Sequence, residues 1–135
     1  MLNTILMLIA IVLVIHAIIL IHEMGHYIVA RSFNIKVKTF AVGLGRPIWQ
    51  IVHNGVTWRF GIFPIGGYVV LLNTQLDNVP LSELKHSFNV KPLWQKIAVY
   101  LAGPLINFIV AIIIYTGIFM SGMYEVKPSI ATIIP

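Results

Sequence analysis

Hydrophobic and polar positions divide this chain into three zones. From Ile5 to Ile21 every residue is apolar except His16, and the helical pattern continues through Tyr27, Ile28, Val29 and Ala30 to Arg31. A run of that length is the signature of a membrane-spanning helix, predicted over residues 4–30. It is too long for the apolar region of a signal peptide, and no basic segment precedes it. A second apolar run over residues 93–120 is entered through Lys91, Pro92, Trp94 and Lys96, with an interfacial tryptophan and basic anchors. Gly103, Pro104 and Asn107 interrupt the apolar run.

The middle zone alternates instead. Asn54-Gly55 stands between Ile48 to His53 and Val56 to Ile62, the strongest short signal for a two-residue hairpin turn. Pairing across that turn sets Trp49 opposite Phe60, Ile51 opposite Trp58 and His53 opposite Val56 on one aromatic face. Such a hairpin either lies against the membrane, presents an edge for another strand, or packs on its own protein. Ile35 to Val42 is a candidate third strand, and Pro64, Gly66 and Gly67 bend the chain into Tyr68 to Leu72. The β region is therefore expected over residues 35–72, followed by a short polar loop from Asn73 to Leu81. The fold class is a membrane protein, mainly α, with two transmembrane helices joined by a cytoplasmic loop that contains a membrane-associated β-hairpin.

Composition agrees with the bilayer as solvent. Only 10% of the 135 residues are charged, against about 25% in soluble domains, and mean hydropathy is +0.92. There is no cysteine, so disulfides and thiolate metal sites are excluded and any metal needs nitrogen and oxygen ligands. The net charge of +5 comes mostly from basic residues in the loop, eight of them (Arg31, Lys36, Lys38, Arg46, Arg59, Lys85, Lys91, Lys96) against Asp77 and Glu83. This bias puts the loop in the cytoplasm and both termini outside, and argues for membrane topology rather than a nucleic-acid partner.

Candidate chemistry lies at the end of the first span, in His22-Glu23-Met24-Gly25-His26. Residues four apart on a helix differ by only ~40° around its axis, so both imidazoles face one point and can share a metal ion. Glu23 projects to the adjacent face, where a carboxylate can act as general base on water without ligating. Peptide-bond hydrolysis is the reaction this arrangement suits. His16, about 120° around and roughly 9 Å along the helix from His22, reads as a hydrogen-bonded or lipid-interface histidine in preference to a ligand. His53 and His86 fall in the loop and read as solvated.

With this motif the sequence resembles the site-2 protease family of intramembrane zinc metalloproteases, in particular the bacterial branch that cleaves anti-sigma factors. Three further stretches fit: Val42-Gly-Leu-Gly-Arg-Pro47, Phe63-Pro-Ile-Gly-Gly-Tyr-Val69 and Ala102-Gly-Pro-Leu-Ile-Asn107. The resemblance implies Zn2+ as cofactor, His22 and His26 as its ligands, Glu23 as catalytic base, and a β region that holds substrate as an added strand. It also matches Asn107 to an asparagine that contacts substrate or the developing oxyanion, while an asparagine in an apolar span can equally join two helices by a hydrogen bond. The partners implied are a transmembrane protein substrate and the lipid bilayer, and the location is the bacterial inner membrane.

One element of the family pattern is missing. Its third ligand is an aspartate in an Asp-Gly motif on a later span, whereas the only aspartate here is Asp77, followed by Asn78. Glu83 and Glu125 would substitute only if the fold carried them to the site. Residues 126–135, ending Ser129-Ile-Ala-Thr-Ile-Ile-Pro135, resemble the first strand of the PDZ domain that follows in the family. The expectation is an amino-terminal half of a protease, truncated or split, whose missing carboxy-terminal half supplies an Asp ligand. The alternative is a non-catalytic membrane module that binds substrate helices or regulates an intact protease.

Overall fold

Two long apolar helices flank a single β-hairpin sheet in the computed structural model, which describes residues 1–122. The expected strand start at 126–135 and Glu125 lie outside the described residues. Helix α1 runs Leu2–Ser32, strands β1 and β2 run Val37–His53 and Val56–Leu71, and α2 runs Leu93–Met120. Both helices are long and apolar enough to cross a membrane. At 31 and 28 residues they measure ~46 and ~42 Å, longer than the ~30 Å of hydrocarbon they would cross.

Helix α1 exceeds the expected 4–30 by two residues at each end. It stops where Asn34 adopts φ 53°, a left-handed conformation that asparagine tolerates and helix ends use. The Asn34 and Ile35 amides donate back to Arg31 and Ala30, and Lys91 Nζ donates to Phe33 O at 2.9 Å. Helix α2 has the expected bounds. It stays helical through Gly103, Pro104 and Asn107. Pro104 removes one N–H from the ladder, yet the rest of the helix is held by close packing on α1, and neighbouring helices make such a proline tolerable in an apolar span.

In the sheet, Asn54 and Gly55 both have positive φ, 50° and 75°, as a tight hairpin turn requires. The pairs across it are those expected: Trp49 with Phe60, Ile51 with Trp58, His53 with Val56. The candidate third strand is instead the first half of β1. The hairpin folds back on itself where Gly43 and Gly45 take φ 80° and 86° and Gly61 crosses Gly43. A Cβ on Gly61 would lie 2.6 Å from the Gly43 carbonyl carbon, so only glycine permits this crossing.

Folding back puts Val37–Val42 in the interior of the sheet. On one side it pairs antiparallel with Gly67–Leu71. On the other, Thr39 to Val42 lie beside Thr57 to Phe60 in a register that rises in step, although β1 and β2 run antiparallel around the turn. Val37, Phe40 and Val42 are accordingly buried, and with Ile35, Ala30, Val56 and Val99 they form the core between sheet and helices. Tyr27 of α1 meets Phe40 and Trp58 at ring separations of 5.8 and 5.3 Å, which fixes the sheet against the helix. Residues 44–53 project beyond this core, with Ile48, Trp49, Ile51 and Val52 exposed.

The stretch expected to be a polar loop continues into two short 3-10 turns, Leu81–His86 and Phe88–Val90. Ser87 between them is fully buried, with Oγ 3.0 Å from Leu72 O and accepting the Thr74 amide. This segment leads the chain from the sheet edge to the start of α2.

Candidate functional site

Close contact between the two helices builds the site. A Cβ on Gly25 would lie 2.5 Å from the Ala102 carbonyl oxygen, so α1 and α2 touch backbone to backbone there. That crossing carries Gly103 over the two imidazoles. A Cβ at Gly103 would collide with Nε2 of His26 and fall 2.6 Å from Nε2 of His22. The two Nε2 atoms stand 3.2 Å apart with their rings edge to face. His26 Nδ1 donates to the Val99 carbonyl of α2 at 2.6 Å, and Asn107, two turns further along α2, brings its carboxamide nitrogen to 3.3 Å from His22 Nδ1.

Glu23 points to the neighbouring face of α1 and is only 7% exposed. Strand β2 reaches it at Gly67, where a Cβ would lie 2.7 Å from Glu23 Cγ. A cleft of about 390 Å³, bounded by Glu23, His26, Val69 and Tyr100, opens on one side. A second of about 300 Å³, bounded by Ile18, His22, Glu23 and Asn107, opens on the other, and Gly67 borders both. Of the two ion pairs among the described residues, Lys36–Glu83 and Lys38–Asp77, neither involves Glu23.

The structure thus brings together all four residues singled out in the sequence: His22, Glu23, His26 and Asn107. It leaves the others apart. His16 Nδ1 donates to Val12 O within its own helix, and His86 Nδ1 donates to Asn34 O. Glu83 is engaged by Lys36 at 2.7 Å. Asp77 is held by Lys38 at 2.5 Å, and that hydrogen bond, with the Asn73 amide, lowers its pKa below the usual carboxylate range. Neither carboxylate joins the histidines, and among the described residues no cluster of three or more His, Asp or Glu side chains could hold a metal.

The two imidazoles nevertheless suit a zinc ion. With Zn–N distances of 2.0–2.1 Å, two ligands of a tetrahedral site lie about 3.4 Å apart, close to the observed 3.2 Å. Gly103, having no Cβ, lets α2 pass over both nitrogens without a side-chain collision. Sequence reasoning did not identify Gly103, Gly67 or the Val99 carbonyl. Both glycines stand within the quoted stretches Ala102 to Asn107 and Phe63 to Val69, but their purpose appears only once the helices cross and the sheet folds back.

Comparison with known proteins defines the class. The profile of Peptidase family M50 matches residues 10–133. The chain belongs to that family, the site-2 protease family of metalloproteases. Among individual relatives, it is 38% identical over 128 residues to a Vibrio cholerae protein named provisionally as a zinc metalloprotease, covering 94% of this chain and 28% of that protein. It is 35% identical over 127 residues to the regulator of sigma-E protease RseP of Salmonella typhimurium, covering 93% and 28%. A Thermotoga maritima protein, also named provisionally as a zinc metalloprotease, is 37% identical over 124 residues, covering 87% and 25%. The chain therefore spans little more than a quarter of the length of these relatives.

Proposed function

We propose that this chain contributes the water-activating part of a zinc-dependent intramembrane protease that cleaves transmembrane proteins such as anti-sigma factors. His22 and His26 hold the metal through Nε2, and a carboxylate from outside residues 1–122, an aspartate by family resemblance, completes the ligand set. Zinc, when bound, supplies Lewis acidity that activates water and polarises the peptide carbonyl. Glu23 is the general base: its carboxylate takes a proton from the attacking water and returns it to the leaving amine nitrogen. Its near-burial between two clefts keeps that carboxylate away from bulk solvent while leaving it open to a substrate.

The substrate enters along Gly67–Leu71, whose outer edge borders the cleft at Glu23 and His26 and can accept an added strand. The exposed apolar limb at residues 44–53 lies in the membrane surface, the loop faces the cytoplasm, and the protein resides in the bacterial inner membrane. The observation that carries the reading is the 3.2 Å approach of two Nε2 atoms beneath a glycine, with Glu23 one residue away.

The test pairs the purified chain with a second chain supplying the Asp-Gly helix and measures zinc content and cleavage of a transmembrane substrate. Glu23→Gln should keep its zinc and lose hydrolysis by about 10²–10⁴-fold, the usual range for removing a general base. Undiminished cleavage by this variant would exclude Glu23 as the base.

A further inference from the structure

Asn107, His22, His26 and Val99 form one continuous line of polar contacts: Asn107 Nδ2 to His22 Nδ1 at 3.3 Å, His22 Nε2 to His26 Nε2 at 3.2 Å, and His26 Nδ1 to Val99 O at 2.6 Å. The two ends of this line differ in kind. A backbone carbonyl only accepts, so Val99 obliges His26 to carry its proton on Nδ1 and leaves His26 Nε2 bare. A carboxamide both donates and accepts, so Asn107 suits either tautomer of His22.

With its NH2 toward the ring, Asn107 donates to a bare His22 Nδ1, and His22 Nε2–H donates to His26. Every contact in the line is then satisfied by protons alone. With the carboxamide turned over, Oδ1 accepts Nδ1–H and His22 Nε2 is bare. Two bare nitrogens then face each other across 3.2 Å, an arrangement favourable only when a cation lies between them.

We propose that Asn107 is a positioning residue for His22: its carboxamide turns over to hold the imidazole in the tautomer that presents a bare Nε2 to zinc. This rests on the zinc reading of the preceding section and deepens it. It assigns Asn107 to the metal side of the site, in addition to the wall it forms of the smaller cleft. His26 needs no such device because the α2 backbone fixes it.

The test follows the imidazole nitrogens of the ¹⁵N-histidine-labelled chain by NMR during zinc titration, in micelles that also hold the unlabelled second chain supplying the Asp-Gly helix. In the unaltered chain, zinc should shift the His22 proton from Nε2 to Nδ1 and leave the His26 proton in place. Asn107→Leu should lower zinc affinity about 10–100-fold, the usual cost of losing an outer-sphere partner, and leave His22 exchanging between tautomers. Asn107→Asp, which can only accept, should restore or exceed the original affinity.

Unaltered affinity and His22 signals in Asn107→Leu would overturn the proposal, as would Asn107→Asp binding more weakly than asparagine. The second comparison stands even if the leucine variant does not fold. Failure of the unaltered chain and of Asn107→Asp alike to take up zinc would instead defeat the metal reading itself.

Discussion

The two halves of α1 belong to one continuous helix yet occupy different surroundings. From Leu2 to Ile15 the side chains are exposed around the whole circumference, and no sheet or partner helix covers them. From His22 to Ala30 the same helix is wedged between α2 and the sheet, with Glu23, Gly25 and Ala30 buried. The difference lies in three small residues at the points of contact, Gly25 on α1, Gly103 on α2 and Gly67 on β2, each of which lets backbone or imidazole approach closer than a Cβ would allow. Polar groups are concentrated in the half that has protein around it, where they find partners that lipid does not offer.

The sharpest way to break this contrast is at the contact itself. Gly103→Val drives side-chain atoms into contact with both Nε2 atoms, and should reduce zinc affinity by at least the ~10–100-fold seen for lost outer-sphere partners while leaving both helices formed. Isothermal titration alongside circular dichroism checks both halves of that expectation. Gly25→Ala, which drives a methyl group into the Ala102 carbonyl, should weaken the association of α1 with α2 by about 1–3 kcal/mol, read from unfolding in mixed micelles.

A smaller effect is expected at Asp77. Its carboxyl is depressed by Lys38, so the folded loop gains stability from the ionised form at pH values above the ordinary carboxylate pKa. That contribution is lost as pH falls through the depressed folded value. The hydrogen-exchange protection of residues 73–90, taken relative to the intrinsic rate at each pH, should therefore fall in acid, and Asp77→Asn should flatten that pH dependence. The least effect belongs to the other half of α1: Leu8→Ala, exposed and far from α2, should leave helix association within ~0.5 kcal/mol of the original in the same unfolding measurement.

What the sequence revealed follows the range of the interactions involved. Register around Asn54-Gly55 was legible because a two-residue turn determines every pair near it, down to Trp49 with Phe60. The convergence of His22 and His26 was legible because it needs only helical geometry. The return of Val37–Val42 into the middle of the sheet was not, because it depends on a crossing of Gly43 and Gly61, residues that look like ordinary turn formers in sequence. For Asn107 the resemblance implies contact with substrate or the developing oxyanion and the residue type equally suits a hydrogen bond between two helices, but that its partner is the rear nitrogen of His22 emerges only from the angle at which α2 crosses.

The central claim is that two imidazoles on one turn of α1 hold a metal ion together. Zinc affinity of the chain in the presence of the second chain that supplies the Asp-Gly helix, measured by competition with a chromophoric chelator for the original sequence and for His22→Ala and His26→Ala separately, tests it most directly. The account predicts that one zinc binds per chain and that either substitution alone removes it. Binding that survives either substitution undiminished would contradict it.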